Sequence, residues 1–293
     1  MIDYGRLRDR ASAYDWPPGV LYIVATPIGN LEDIGLRALR ILDGVDLVAA
    51  EDTRRTGILL NAYGIRKPLM SCFAHNEEKQ SQKIVALLKE GKTVAFVSDA
   101  GMPGISDPGA RLIRKALDEE IVLTVIPGPS AGLTALAASG LDTGSFAFGG
   151  FFPRNGKERQ SWLGRFGAFP GTLILYESPN RLLDTLRFLK ETLGERRCCV
   201  AREMTKRFEE YIRGSLTDVA EALGPAERVK GEIVVILEGC PEDRAAALSP
   251  GEAEALGRTM IAGGLGIKEA SRELARQSGL PAKDCYALLL KLK

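Results

Sequence analysis

Short apolar runs alternate with amphipathic stretches over the first half of the chain. Apolar runs rich in β-branched residues are typical of buried strands, whereas apolar residues that recur with the helical period are typical of helices. The predicted strands are Val20–Ala25, Val45–Ala50, Leu69–Cys72, Thr93–Ser98 and Ile121–Ile126. The helices predicted between them are Leu31–Leu42, Arg54–Ala62, Glu77–Lys89 and Ala110–Leu117. This alternation indicates an α/β domain with a doubly wound, mostly parallel sheet.

The second half of the chain again mixes strands and helices, whereas its tail is helical. A helix of small residues is predicted over Pro129–Ser139. The strands predicted after it are Phe146–Gly149, Thr172–Tyr176, Arg197–Ala201, Phe208–Arg213 and Glu232–Glu238. The last two β runs lie close together in the sequence, which favours a mixed sheet. The helices predicted in the tail are Glu252–Ile261, Lys268–Gln277 and Ala282–Leu292, and Ser278–Pro281 resembles a helix-turn-helix connection.

These patterns predict four segments along the 293 residues, a length that accommodates two ordinary domains and a small appendage. The first is a polar leader, residues 1–19. An N-terminal α/β domain spans residues 20–128, and a second α/β domain spans residues 129–241. A linker around Cys240–Pro250 then leads into a small helical domain, residues 242–293.

Cysteine and histidine usage argues against a metal site or a disulfide framework. The chain has five cysteines without a CxxC pair, and a single histidine. The N-terminal segment lacks the apolar core of a secretory signal, and no apolar run approaches the length of a membrane span. We therefore expect a reduced, cytoplasmic protein without a bound metal.

The net charge of +1 leaves no global basic field, so any nucleic-acid binding must use local patches. One candidate mixes cations with rings, as single-stranded RNA sites do. Its residues are Phe151, Phe152, Arg154, Lys157, Arg159, Trp162 and Arg165. The helical tail from Lys268 onward is a second basic candidate. For both segments an ordinary solvated surface is the alternative.

Three loops rich in glycine and proline follow predicted strands. The longest is Ser98–Gly109, and the others are Ala25–Asn30 and Pro127–Ser130. Glycine allows the backbone to approach a ligand closely, and ligands of open α/β sheets bind at the carboxyl ends of strands. The first strand-to-helix turn has no GxGxxG motif, so a standard dinucleotide site is not supported. The loops therefore predict a small-molecule site, with tight structural turns as the alternative.

Polar residues follow other predicted strands at the same edge. Glu51 and Asp52 precede Arg54 and Arg55; an N-cap at Asp52 or Thr53 explains the acids but not two cations near a helix N-terminus. We therefore interpret the arginines as contacts to phosphates or bases. His75 opens a His-Asn-Glu run, where a neutral imidazole could accept a hydroxyl proton or bond a nucleobase, although a packed or surface histidine is the alternative.

Seven motifs carry a family resemblance, in this order: ATPIGNLEDI, EDTRRTGILL, FAHNE, SDAGMPGISDPG, PGPSA, YESPNR and AREMTK. From about Val20 to Gly239 the chain resembles the ribosomal RNA 2′-O-methyltransferase branch of the tetrapyrrole (corrin/porphyrin) methylase family. The resemblance implies two α/β domains with an interdomain cofactor cleft, S-adenosylmethionine as cofactor, and a homodimer. It also implies a cytidine ribose in the decoding region of 16S rRNA, or of the small ribosomal subunit, as the methyl acceptor.

The resemblance assigns roles to the loop residues. The implied cofactor contacts are Thr26, Pro27, Gly29, Asn30, Asp99, Gly101, Met102, Pro103, Gly104, Ile105, Ser106, Asp107, Pro127, Gly128, Pro129 and Ser130. The implied catalytic groups are Glu177, Glu203, Lys206 and His75, with glutamate or a deprotonated lysine as the base. The implied RNA contacts are Glu51, Arg54, Arg55, Asn76, Glu77, Ser178, Arg181 and Arg202. For the ionisable groups of the YESPNR and AREMTK motifs, an interdomain ion-pair network is the alternative.

Two other functions stay open at this point. Carbon methylation of a tetrapyrrole precursor would keep the fold, although EDTRRT, HNE and YESPNR favour the RNA branch. A non-catalytic, RNA-binding ribosome-assembly factor would keep the pocket without using it. The intact loop residues Gly101, Gly104, Pro127 and Gly128 count against this.

Overall fold

The computed structural model describes residues 17–225, 230–241, 250–278 and 282–291. These residues form two compact units. The first unit holds residues 17–138 and the segment 201–210, and the second holds residues 139–200 and those from 211 onward. Three predicted features lie partly outside the described residues: the leader up to residue 16, the linker at residues 242–249, and the connection at residues 279–281.

A five-stranded parallel sheet is the centre of the first unit. Its order is β3-β2-β4-β1-β5, and every recorded pairing is parallel, which confirms the prediction. The strands are β1 (Leu21–Val24), β2 (Leu47–Ala50), β3 (Leu69–Ser71), β4 (Val94–Val97) and β5 (Leu123–Ile126). The helices are α1 (Leu36–Gly44), α2 (Thr53–Ala62), α3 (Glu77–Lys89), α4 (Ala110–Asp118) and α5 (Ala131–Ser139).

Strand β1 shows why both faces of this sheet are covered. Successive side chains of a strand point to opposite faces. Tyr22 and Val24 pack in one apolar cluster with residues of α1 and α2, whereas Leu21 and Ile23 pack in another with residues of α3 and α4. All four side chains are buried, so the strand reads as a continuous apolar run, as a strand buried on both faces should.

The predicted helix Leu31–Leu42 is wrong at its start. Leu31–Asp33 form one turn of 3-10 helix, and α1 begins only at Leu36. The break falls at Ile34 and Gly35, both of which are extended. Glycine is a poor helix former, and the side chain of Asn30 already caps the short turn by accepting from the backbone nitrogen of Glu32.

The second unit is built on a mixed five-stranded sheet of order β6-β7-β10-β8-β9. Strand β6 runs parallel to β7, whereas β10 runs antiparallel to it, which confirms the mixed sheet. The strands are β6 (Phe146–Phe151), β7 (Thr172–Glu177), β8 (Arg197–Arg202), β9 (Glu210–Ser215) and β10 (Ile233–Leu237). The helices beside it are α6 (Gly156–Phe166), α7 (Leu182–Leu193) and α8 (Leu216–Leu223), of which the sequence analysis missed α7 and α8.

The C-terminal segment is helical, as predicted. Its helices are α9 (Pro250–Ala262), α10 (Ile267–Ser278) and α11 (Ala282–Leu290). They bury an apolar cluster of their own that includes Met260, Leu274 and Leu289. Among the described residues, no helix is both long enough and apolar enough to span a membrane.

All five cysteines are buried as free thiols. Cys72 belongs to the first unit, and the other four, Cys198, Cys199, Cys240 and Cys285, belong to the second. Nowhere in the described part of the chain do three His, Cys, Asp or Glu residues form a group that could hold a metal ion.

Candidate functional site

Three loops of the first unit meet at the carboxyl ends of β4, β1 and β5, which are neighbours in the sheet. Thr26 and Gly101 form a short antiparallel bridge: each backbone nitrogen donates to the other residue's carbonyl oxygen, at 2.9 and 3.0 Å. The Thr26 hydroxyl also donates to the carbonyl oxygen of Ser98. Gly128 lies against the first loop, because a Cβ there would be 2.9 Å from the Cβ of Ala25. The three predicted cofactor loops therefore form one surface.

The end of the longest loop requires glycine. Gly109 has φ +129°, which L side chains rarely adopt, and a Cβ there would be 2.7 Å from Cε1 of the buried Phe96. Ser106, in the same loop, has φ +63° without being glycine. Backbone strain of this kind persists where the surroundings hold it, and it is concentrated at functional loops.

The side chain of Glu77 holds this loop in place. It is 5% exposed, and Oε1 accepts from the backbone nitrogens of Gly109, Arg111 and Leu112 at 3.0, 3.0 and 3.2 Å. These N–H groups belong to the first turn of α4, which has no side-chain cap at Gly109. Glu77 was predicted to contact RNA, but its carboxylate is buried and engaged. We correct that assignment to a structural one.

Acidic side chains gather beside the loops. The backbone nitrogen of Asp99 donates to Oε2 of Glu51, and the backbone nitrogen of Asp52 donates to Oδ1 of Asp99. Burial, with the charges of Glu51 and Asp99, raises the pKa of Asp107 to about 6. Burial likewise raises the pKa of Glu51. Such a group has a negative potential that favours a cationic ligand.

The two arginines of the second motif lie at the start of α2 and are largely exposed. Asp52 caps this helix and forms an ion pair of 2.7 Å with Arg54, while the Arg55 guanidinium lies 3.4 Å from Asp99. Hydrogen bonds from Arg54 lower the pKa of Asp52 to about 2. The N-cap alternative at Asp52 is thus correct, and the arginine side chains, 88% and 65% exposed, stay accessible to a ligand.

The segment 201–210 belongs to the first unit and lies against the first loop. Its backbone turns sharply at Glu203 (φ +50°) and Thr205 (φ +66°). Lys206 Nζ donates to Glu203 Oε1 at 2.9 Å. A Cβ on Gly29 would be 2.7 Å from Lys206 Cγ and 2.8 Å from the Thr205 hydroxyl oxygen. The two predicted catalytic groups Glu203 and Lys206 are therefore adjacent to a predicted cofactor loop, and Arg202 beside them is paired with Glu210.

The YESPNR motif lies in the second unit and is held together from within. Glu177 is 3% exposed; Oε2 accepts from the Thr185 hydroxyl at 2.5 Å and Oε1 from the Ser178 backbone nitrogen at 2.7 Å. Arg181 Nη2 lies 3.2 Å from the same carboxylate and donates to the carbonyl oxygens of Phe152 and Pro153. Both ionisable side chains of the motif, Glu177 and Arg181, are thus engaged in contacts within the second unit. We therefore remove Glu177 from the proposed catalytic set.

His75 is exposed and stands edge-on to Phe73, with ring centroids 6.2 Å apart. Asn76 holds this turn, since its side chain accepts from the Phe73 nitrogen and donates to the Ser71 carbonyl. The turn follows β3, the edge strand, which is two strands away from β4. At strand spacings of about 4.8 Å, that puts the turn roughly 10 Å along the edge from the glycine loop.

The other predicted cofactor residues lie on the same three loops. They are Pro27, Asn30, Met102, Pro103, Gly104, Ile105, Pro127, Pro129 and Ser130. The sequence analysis did not assign a role to Thr205 or Ser98, whose hydroxyl oxygens are buried and have no hydrogen-bond partner among the described residues. Both residues lie in segments that the sequence analysis singled out, Ser98 at the start of the longest loop and Thr205 in the AREMTK motif, but neither motif indicates that these hydroxyl groups are buried.

Comparison with known proteins agrees with the resemblance. Residues 20–220 match the model of the Tetrapyrrole (Corrin/Porphyrin) Methylases. The chain therefore belongs to the tetrapyrrole methylase family.

The chain is also similar to individual proteins and to solved structures. The chain is 45% identical over 275 residues to Ribosomal RNA small subunit methyltransferase I of Halalkalibacterium halodurans, covering 92% of this chain and 93% of the relative. It is 51% identical over 223 residues to the protein of that name from Thermotoga maritima, covering 75% and 99%. A crystal structure of uroporphyrin-III-C-methyltransferase from Thermus thermophilus shares the fold, with a TM-score of 0.54 and 21% identity over 75% of this chain and 94% of that chain.

Proposed function

We propose that this protein transfers a methyl group from S-adenosylmethionine to the 2′-oxygen of a cytidine ribose in the decoding region of 16S rRNA. The names of the relatives support methylation of small-subunit rRNA. The observation that carries the proposal is the meeting of three loops beside the acidic group of Glu51, Asp99 and Asp107, with Lys206 at the same surface.

The loop surface fits the chemistry of S-adenosylmethionine, which supplies an electrophilic methyl group on a sulfonium. Its sulfonium and ammonium are cations, and the acidic side chains beside the loops complement them. Gly101 and Gly128 hold the three loops together, Gly101 through its backbone bridge to Thr26 and Gly128 through its close approach to Ala25. We assign cofactor binding to the residues predicted for it on these three loops.

Glu203 and Lys206 are the groups that we assign to the ribose hydroxyl. Methyl transfer to this oxygen requires alignment of the nucleophile and removal of its proton. The paired side chains hold one another at 2.9 Å, and the strained turn and Gly29 fix the lysine stem. In this proposal Lys206 orients the ribose oxygen, and the Glu203 carboxylate accepts its proton. The oxygen–carbon bond would form as the carbon–sulfur bond of the sulfonium breaks, and the cofactor would leave as a neutral thioether.

Arg54, Arg55 and His75 are the groups that we assign to RNA. Exposed guanidinium groups bind phosphates in two-point contacts, and an exposed imidazole can stack on or bond a base. Arg202 and Asn76 support these surfaces through their partners in the first unit. Ser178 and Arg181 hold the YESPNR turn of the second unit, to which we assign a supporting role.

The proposal is tested by incubating the protein with labelled S-adenosylmethionine and small ribosomal subunits that lack the modification, followed by nucleoside analysis. We expect label in 2′-O-methylcytidine, a loss of at least about 100-fold in Lys206→Met, and wild-type rates in Lys83→Met, which changes an exposed lysine of α3. Label on a base, or transfer to a tetrapyrrole precursor instead of RNA, would overturn the proposal.

We also propose that the enzyme works as a homodimer in the cytoplasm, where its ribosomal substrate is assembled. Analytical ultracentrifugation of the full chain tests the oligomeric state. A monomer at concentrations that support full activity would refute the dimer without affecting the assignment of the reaction.

A further inference from the structure

The second unit has a cavity of about 460 Å³ between β6 and α6, remote in sequence from the loops described above. Its wall includes four aromatic side chains, Phe148, Phe151, Trp162 and Phe166, and Arg165 and Glu158 add charges of opposite sign. The volume lies within the range of roughly 300–1,000 Å³ that is usual for small-ligand sites. The proposed function assigns no role to it, although Phe151, Trp162 and Arg165 belong to the aromatic and basic segment that the sequence suggests as an RNA site.

An irregularity of β6 shapes this cavity. The pairing of β6 with β7 shifts register between Phe148 and Phe151, and Gly150 has φ +67°. Gly149 cannot carry a side chain, since a Cβ there would be 2.7 Å from Leu175 Cδ2 and 2.9 Å from Trp162 Nε1. Trp162 also donates to the Gly149 carbonyl oxygen at 3.2 Å. The strand and α6 are therefore locked together, and the cavity is formed before any ligand arrives.

Phe151 presents an exposed ring at this cavity. It is 61% exposed, although a phenylalanine gains by burial. Tyr176 holds it edge-on at 5.5 Å between ring centroids, and Phe148 packs edge-on against the same tyrosine at 4.9 Å. The exposed part of this ring offers apolar area on which a planar ligand can stack.

The positive charge of the surrounding segment favours a ligand that carries phosphate. Residues 151–167 hold Arg154, Lys157, Arg159 and Arg165 against Glu158, a net charge of +3 in a chain whose total is +1. Arg159 is turned inward, over the rings of Phe152 and Phe188, so three cations stay exposed. A π-face beside phosphate-binding cations is the arrangement that binds unpaired nucleotides of RNA.

We propose that this cavity receives one unpaired nucleobase of the RNA substrate, stacked on Phe151, with its phosphate at Arg165. This proposal rests on the proposed function, because it takes the ligand to be the rRNA. The site adds RNA affinity and takes no part in the chemical step. Its loss therefore raises the KM for RNA and leaves kcat unchanged at saturating RNA.

The test compares Phe151→Ala with Phe146→Ala, a matched control that removes an exposed ring from the same strand but outside the cavity. Because stacking on one ring contributes a factor of about 5 to 160 in affinity, we expect Phe151→Ala to raise the KM for small subunits by about that factor. The control should keep the wild-type KM. Phe151→Trp, which retains an aromatic ring, should also bind RNA as the wild type does. The kcat, the affinity for S-adenosylmethionine and the melting temperature should not change.

A second pair of variants tests the phosphate contact. Arg165→Gln should raise the KM for RNA and reduce its salt dependence, whereas Arg187→Gln, in an exposed ion pair of α7, should do neither. Equal RNA kinetics of Phe151→Ala and Phe146→Ala would overturn the cavity proposal alone. So would a change in sedimentation with unchanged RNA binding, which would make this face a contact between copies. Failure of the wild-type protein to methylate RNA would instead refute the proposed function.

Discussion

Replacing Glu77 should destabilise the first unit by loosening the start of α4. In Glu77→Ala the backbone nitrogens of Gly109, Arg111 and Leu112 lose their shared acceptor. Gly109 and Leu112 are buried, so water does not readily replace it. A buried donor left without a partner costs about 1–3 kcal/mol. Two of them give a loss of about 2–6 kcal/mol in the free energy of unfolding.

Glu77→Gln separates charge from hydrogen bonding. The amide oxygen can still accept, but the negative charge at the helix N-terminus is lost, and that charge contributes about 0.3–2 kcal/mol. We therefore expect a smaller loss, of about 1–2 kcal/mol. The matched control is Glu78→Gln, which neutralises the adjacent and exposed glutamate of the same helix turn.

Urea titration of the full chain measures the free energy of unfolding. Hydrogen exchange in the full chain, followed at residues 101–117, locates the loss of stability. The order of stability should be wild type and Glu78→Gln, then Glu77→Gln, then Glu77→Ala. Exchange should accelerate most at the first turn of α4, and the affinity for S-adenosylmethionine should fall because the glycine loop ends there. Wild-type stability of Glu77→Ala, combined with weaker RNA binding, would refute the structural role and restore the RNA contact first predicted.

Two further variants test the loop surface. Gly29→Ala should displace the Lys206 stem, since the new Cβ would be 2.7 Å from Lys206 Cγ, and single-turnover rates should fall at least about 10-fold. Gly35→Ala, with open space around its Cβ, is the control, and equal rates would contradict this role of Gly29. Burial raises the pKa of Asp107 in the folded chain from its ordinary 3.8 to about 6. Its ionisation therefore lowers the stability of the fold as pH rises from about 4 through 6. Asp107→Asn should therefore be more stable than wild type at pH 8 by about 1–2 kcal/mol after allowance for solvent screening, and urea titrations should show the gap closing near pH 4. A gap independent of pH would contradict the assignment to Asp107.

Much of the first unit could be predicted from the sequence because its strands are buried on both faces. Leu21–Val24 is apolar throughout, and glycines lie at or just beyond the ends of α1, α2 and α3, so the apolar period and the helix stop signals agree. Helices α7 and α8 were harder to find. Each begins at polar residues. Helix α7 follows the YESPNR turn, and α8 begins with the capping box of Ser215 and Asp218.

The glycine loops could be predicted as one surface because adjacent parallel strands end at one edge. The roles of individual carboxylates could not, since they depend on tertiary partners. Glu77 and Glu177 look like site residues in the sequence, yet their oxygens are taken up by backbone nitrogens and by Thr185. Conversely, the proximity of Lys206 to Gly29 joins residues far apart in the chain, and no local pattern encodes it.

Each unit contains a buried thiol whose reaction rate depends on how often that unit opens. Burial raises the pKa of Cys72 and of Cys198 to about 12, so a negligible fraction of either is thiolate at neutral pH in the folded chain. A thiol reagent can then react at an appreciable rate only when the surrounding structure opens. Cys72 is the single cysteine of the first unit, and it lies beside the helix that begins at Glu77. The alkylation rate of Cys72 therefore measures how often the first unit opens. Mass spectrometry of the peptides distinguishes it from the alkylation of Cys198, which measures the opening of the second unit.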